Sequence, residues 1–175
     1  MIDPSAFVHS KAHVDPECSV GKRTRIWQFA TVIRGTELGA DCNVASCATL
    51  DGPIFGDRCI ICPGVHIGPG FLIGNDCFIG PNVVLCNDRW PRVDKDGFDM
   101  EALRAGGYAV VLRDGASIGA NAVVLPGVVI GRNALVGAGA VASRNVPDEK
   151  VLLRTGELLD IPMSERCERM RLAGA

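Results

Sequence analysis

A period of six residues runs through almost the whole chain and leaves few folds open to it. In the stretch from Gly115 to Pro147, GASIGANAVVLPGVVIGRNALVGAGAVASRNVP, aliphatic residues fall at Ile118, Val124, Ile130 and Val136, with small or β-branched residues two places earlier at Ala116, Ala122, Val128 and Ala134. Glycine follows at Gly119, Gly131 and Gly137, which suits a tight turn after a short strand. A period of six with an inner alternation of two means strand, corner, strand, corner, so that the chain coils into a solenoid. From the N-terminus the same register reads Val8, Val14, Val20, Ile26, Val32, Leu38, Val44 and Leu50. One residue is missing within DGPIFG, where Phe55 is the next inward residue and Pro53 marks the tightened corner; the register resumes at Ile61, Ile67, Ile73, Ile79 and Leu85. With Leu112 and Ala142 added, the pattern predicts roughly six to seven coils, a prism about 30 Å long at ~4.8 Å per coil.

Composition agrees with a thin, stacked core. Hydrophobic residues make up 47% of the 175 residues but aromatics only 5%, so the interior must be built from Val, Ile, Leu, Ala and Cys. Of the eight cysteines, Cys18, Cys42, Cys59 and Cys77 fall on the small inward position, where thiols act as small hydrophobes in a reducing compartment. Cys59-x-x-Cys62 has no second pair at zinc spacing, and the three histidines, His9, His13 and His66, are too far apart in the coil order to converge on one ion, so no metal is expected. A net charge of −2 without basic runs argues against nucleic acid and anionic membrane partners. No apolar run reaches the ~18 residues of a membrane helix, and the start lacks the pattern of a signal peptide, so the chain reads as cytoplasmic.

The repeat is interrupted once. Residues 86–109 are charged and without a period of six, yet carry Trp90, Phe98, Met100, Leu103 and Tyr108. They read as a loop thrown out of the prism, packing either on a neighbouring subunit or back on its own coil. The solenoid is expected over 1–151, followed by a tail over 152–175. The tail supplies one more extended stretch and a short C-terminal helix, with Ser164 as N-cap and Arg169 and Arg171 late in the helix.

Four blocks in order, IDPSAFVHSKAHV, GKRTRIWQFATV, IGPNVVLCNDRWPR and VLRDGASIGANAVVLPGVVIGRNALVGAGAVASRNVP, carry a resemblance to the hexapeptide-repeat acyltransferases, and among these to enzymes that N-acetylate amino groups of nucleotide-linked sugars for surface polysaccharides. The resemblance covers residues 1 to about 147. Gln28 stands where the family usually has His, and Pro63-Gly64-Val65-His66 replaces an Asn-rich stretch. It implies an all-β fold, the left-handed parallel β-helix; acetyl-CoA as co-substrate; a nucleotide-linked amino sugar as acceptor; and a homotrimer with sites between prisms. O-acetylation of a sugar or small molecule, and a non-catalytic trimeric scaffold, are the alternatives.

Amide formation from a thioester needs a neutral amine, a partner for the developing oxyanion and a proton acceptor. Asn87 matches the Asn that the family places beside the acceptor sugar, although an Asn there also suits a turn. Asp88 and Trp90 follow it as candidate sugar-binding residues, with turn capping the other reading of Asp88. His66 points outward one coil before Asn87, so the two are expected to be neighbours, with His66 as base or as a plain exposed histidine. For CoA, the resemblance implies backbone contacts at Gly119, Ala120 and Ala138, where small residues permit close approach. Arg144, in the family's basic position, and Arg113 are the candidates for its phosphates.

Overall fold

The computed structural model describes residues 1–93, 105 and 107–161. Among these, 22 strands of two or three residues succeed one another from β1 (Phe7–Val8) to β22 (Leu158–Asp160). They stack into three sheets of nine, seven and six strands, here sheets I, II and III; up to β20 (Val141–Ala142) each strand pairs with the third one before and after it in sequence, and the nine-stranded sheet ends with β19 (Leu135–Val136) pairing with β21 (Lys150–Leu152) and β21 with β22. All pairings are parallel except the last, β21 with β22, which are antiparallel. The result is an all-β parallel solenoid of about 7 turns.

The inward positions inferred from the period are those that fill the prism. Ile26, Val32, Val44, Leu50, Ile61, Ile67, Ile79, Ile118, Val124, Ile130 and Val136 are fully buried or nearly so, each stabilising the stack by about 1.5–3 kcal/mol relative to exposure. Val8 and Val14 are only half-buried because no full coil lies beneath them; Ile2, bridged to Val20, begins that cover. The lost residue lies where the sequence put it. Thr31 pairs with Thr49 at a spacing of 18, but Thr49 pairs with His66 at 17, and the short corner consists of Asp51, Gly52 and the buried Pro53.

The corner from sheet III to sheet I shows how closely the coils approach. It carries glycine in coil after coil, Gly21, Gly39, Gly56, Gly74 and Gly131, and a Cβ on Gly56 would lie 2.6 Å from Asn75 Oδ1 and 2.8 Å from the Gly74 carbonyl carbon. Arg113 takes this place in one coil. Just inside this corner the residues at the small inward position donate to the carbonyl of the next coil: Thr24 Oγ1 to Gly39 O at 2.7 Å, Cys42 Sγ to Gly56 O at 3.2 Å, Cys59 Sγ to Gly74 O at 3.1 Å and Cys77 Sγ to Arg113 O at 3.3 Å. The stacked cysteines are therefore more than small hydrophobes; they are free thiols that close the corner hydrogen bonds. The Cys42 thiol is held far above the usual thiol range by its hydrogen bond with the Cys59 thiol and by burial, which makes it inert as a nucleophile.

Strand β14 (Val84–Leu85) leads into the excursion and β15 (Val110–Leu112) resumes the stack, as the sequence indicates. The apolar residues Phe98, Met100 and Leu103 lie outside the described residues, as does the expected C-terminal helix with Ser164, Arg169 and Arg171. The extended stretch before that helix is β21, which closes the last coil with Leu152 buried, and the chain then turns back as a hairpin.

Gly56→Ala should lower stability by about 3 kcal/mol, because its Cβ meets backbone that cannot move. Gly35→Ala, at a φ of 68° with nothing within 4 Å of the added carbon, should cost only about 1–2 kcal/mol of left-handed strain. Denaturant unfolding of the two variants beside the parent checks the order.

Candidate functional site on one edge of the prism

Because strand pairing is in register, residues that follow paired strands by the same number of places lie in one row along an edge. The edge from sheet II to sheet III begins two residues after Val32, Leu50, Ile67, Leu85, Val124 and Ala142, which are stacked by their strand pairings. The row therefore reads Arg34, Gly52, Pro69, Asn87, Pro126 and Arg144. Asn87 and Arg144, placed on separate grounds, stand on the same edge two coils apart, roughly 10 Å along the axis.

Local packing fixes Asn87. Its Nδ2 donates to Pro69 O at 3.1 Å, and a Cβ on Gly68 would lie 3.1 Å from that nitrogen, so the bare glycine makes room for the amide. With one N–H committed to the corner below, the amide plane is set. Its oxygen can accept from an amine, and the second N–H can donate to a carbonyl oxygen. Asp88 Oδ1 accepts the Trp90 backbone N–H at 2.8 Å, which is the turn-capping geometry and brings Trp90 out with 72% of its surface exposed. Between Asn87 and Arg144 the sequence passed over Arg89, whose Nη2 lies 3.9 Å from where a Cβ on Gly127 would stand. Only the threading of the corner rows puts this arginine on the edge, and no local motif marks it.

His66 opens β11 (His66–Ile67) and is exposed on the outer face of sheet II between Thr49 and Val84. It lies one coil toward the N-terminus from Asn87, as expected, and the residue that Asn87 touches is Pro69, three places beyond the histidine. Above His66 the outer face continues through Val84, Val123 and Val141, an apolar strip that is partly or largely exposed. On the opposite border of this strip, at the edge between sheets I and II, lie Gly119, Ala120 and Ala138. They are packed so closely that a Cβ on Gly119 would sit 2.5 Å from Ala138 N and 2.8 Å from its Cα, and Gly139 N donates to Ala120 O at 2.8 Å. Sheet II thus gathers His66, Asn87, Asp88, Trp90, Arg144 and the small residues onto one face and its two borders.

Arg113 is elsewhere. It lies on the edge between sheets III and I, beside an open cleft of about 410 Å³ lined by Leu72, Val111 and Arg132 among others. Its Nη1 is 3.7 Å from Asp148 Oδ1. Arg113 and Arg144 occupy different edges of one prism, so a single ligand could meet both only across two prisms. Arg144 Nη2 is hydrogen-bonded to Gly156 O at 2.8 Å in the final hairpin, which orients its exposed guanidinium. Among the described residues no cluster of metal-ligating side chains occurs; Cys59 faces the core while Cys62 sits at a corner.

A three-sheet parallel solenoid with a polar edge beside an apolar strip defines the class. Residues 52–87 and 109–143 match the bacterial transferase hexapeptide (six repeats) family, the break between the two segments falling on the excursion. Sequence comparison with curated proteins gives no match. Similar solved structures include the UDP-N-acetylglucosamine acyltransferase of Francisella novicida, at 15% identity and a TM-score of 0.59, covering 95% of this chain and 71% of that one. An Asp-to-Asn variant of AntD, an N-acyltransferase from Bacillus cereus in complex with dTDP and coenzyme A, aligns at 15% identity and a TM-score of 0.54, covering 94% and 85%. The UDP-N-acetylglucosamine acyltransferase from Campylobacter jejuni aligns at 16% identity and 0.52, covering 86% and 70%. At such identities the likeness is one of fold.

The anchoring of Asn87 has a pH signature. In Asn87→Asp a carboxylate faces the Pro69 carbonyl at the distance of a hydrogen bond, which should cost about 1 kcal/mol or more at neutral pH. Repulsion raises the folded pKa of the introduced carboxyl above its ordinary ~3.9, so the penalty is complete above the folded pKa and fades as pH falls toward the unfolded one. The difference in Tm between variant and parent should shrink between pH 7 and pH 4.

Proposed function

We propose that the protein is an acetyl-CoA-dependent N-acetyltransferase acting on the amino group of a nucleotide-linked amino sugar, in surface-polysaccharide (lipopolysaccharide) biosynthesis in the cytoplasm. The observation that carries this reading is the shared row of Asn87 and Arg144, with His66 on the adjoining face and small residues on its far border. It is supported by a fold in common with nucleotide-sugar acyltransferases and with an N-acyltransferase bound to dTDP and coenzyme A. In this reading CoA runs along sheet II with its phosphates toward Arg144 and its thioester near Asn87. The small corner residues Gly119, Ala120 and Ala138 let its arm approach the backbone. Arg113, from its own edge, contributes only if a neighbouring prism brings it to the same groove.

The amine nitrogen attacks the thioester carbonyl, the C–N bond forms as the C–S bond breaks, and CoA leaves as the thiol. Asn87 accepts from the attacking amine through Oδ1 and donates its second N–H to the carbonyl oxygen as charge develops there. The acceptor amine must first lose a proton, and His66 takes it, directly or through water. Asp88 and Trp90 border the sugar. Each site forms between prisms in a homotrimer, for which the exposed apolar residues Ile60, Phe78, Val84 and Val141 supply surface to bury.

Asn87→Ala should reduce kcat/KM by ~10² or more at every pH, because positioning does not titrate. His66→Ala should lose about 10²-fold and flatten the acidic limb of the parent pH profile; near-full activity with an unchanged limb would leave the amine to react without a protein base. Acetyl-CoA at a hundred times its dissociation constant should add about 2.7 kcal/mol of stability. An absence of that rise would point to a scaffold, and turnover with hydroxyl acceptors alone to O-acetylation. Sedimentation should give three times the 18.5 kDa chain mass; a monomer at micromolar concentration would remove the inter-prism site.

A further inference from the structure

Asn87 has cations on its row in both directions. Toward the C-terminus stand Arg89, over Gly127, and Arg144; toward the N-terminus stands Arg34, three coils and roughly 14 Å away along the axis. Arg34 stands at this corner in a backbone conformation that favours glycine. Its backbone is in the left-handed region, at a φ of 54°, followed by Gly35 at 68°, and a side chain there costs about 1–2 kcal/mol against glycine. Gly52, stacked on Arg34, shares that conformation, and the place after it in the corner is Gly35, Gly70 and Gly127 in three of the coils.

The path from Arg34 to Asn87 is open. It crosses the corner of the coil that is a residue short, where Gly52 has no side chain and Pro53 is buried, and then the buried Pro69, so the edge is indented between Arg34 and Asn87. Arg34 leans on Asp51, Nε to Oδ1 at 2.8 Å, while its side chain stays 60% exposed. The contact is an ion pair, and Asp51 Oδ1 is buried and makes no hydrogen bond. The carboxylate therefore aims the guanidinium, and its terminal N–H groups make no hydrogen bond to any described residue.

Two nucleoside diphosphate groups must be held when an acyl-CoA meets a nucleotide-linked sugar, one in CoA and one in the sugar nucleotide. Because the amine and the thioester carbonyl meet at Asn87, their carriers extend from it in opposite directions. The small residues Gly119, Ala120 and Ala138 and the cations Arg89 and Arg144 lie on the C-terminal side. We infer that Arg34 receives the diphosphate of the nucleotide-linked sugar, the sugar lying in the indentation at Gly52 and the guanidinium fork gripping the phosphates. This rests on the nucleotide-sugar reading above, and it makes Arg34 a specificity-determining residue for the acceptor and not for CoA.

Isothermal titration of the full chain with UDP, dTDP and GDP, and separately with CoA, tests it. The parent should bind at least one of the three nucleotides. Arg34→Ala should weaken that nucleotide tenfold or more and change CoA binding by less than twofold, and Arg34→Lys, which keeps the charge and loses the fork, should fall between. Arg34→Gln, which still faces Asp51 with a donor, should behave as Arg34→Ala and guards against a variant that fails to fold. Unchanged nucleotide affinity in Arg34→Ala and Arg34→Gln, or an equal loss of CoA affinity, overturns the inference while leaving the acetyltransferase reading in place. A parent that binds CoA but none of the three nucleotides overturns both the nucleotide-sugar reading and the inference.

Discussion

The structure depends on how closely one corner can lie on the next. A solenoid of two- and three-residue strands has almost no ladder to hold it, so its stability comes from coils stacked at strand spacing with their apolar residues in line. That spacing leaves little room for Cβ atoms at the corner between sheets III and I, and glycine occupies it at Gly21, Gly39, Gly56, Gly74 and Gly131, with Arg113 the exception. Where backbone meets backbone, side chains just inside the corner donate to the corner carbonyls: Thr24 with oxygen, Cys42, Cys59 and Cys77 with sulfur. Threonine and cysteine are interchangeable in this row because both are small and both can donate.

In-register stacking also turns a sequence spacing into a location. Every row along an edge repeats at the length of one coil, so residues far apart in sequence share an edge without any long-range design. Asn87 and Arg144 are the example on which the proposed function rests, and Arg34 extends the row to the other side. The shortened coil matters for the same reason: removing one residue at Asp51-Gly52-Pro53 leaves the inward register intact beyond it, since Ile61, Ile67 and Ile73 remain buried, and indents a single edge.

Much of this was legible in the sequence because the period is dictated by geometry that repeats. The inward residues from Val20 to Ala142, the missing residue before Phe55 and the limits of the excursion at Leu85 and Val110 follow from counting in sixes. The placement of His66 one coil from Asn87 came from the same count. What counting could not give is which edge a residue faces and what its side chain meets. Arg113 and Arg144 look alike as arginines after a repeat, yet one leaves sheet III and the other sheet II. The bond from Asn87 to Pro69 O depends on Gly68 lacking a side chain, and Arg89 has no periodic signal because it follows the departure of the chain from the prism. Nor could the sequence show that the cysteine row donates hydrogen bonds, since burial alone explains a cysteine at a small position.

In the proposed function the two substrates meet at the edge between sheets II and III. A crystal structure of the protein with CoA and a nucleoside diphosphate bound together tests this most directly. The account predicts the CoA sulfur within hydrogen-bonding reach of Asn87, the CoA phosphates on the Arg144 side and the second diphosphate on the Arg34 side, with a neighbouring prism closing the groove. CoA seated instead in the cleft of Leu72, Val111, Arg113 and Arg132, with the Asn87 edge bare, would contradict it.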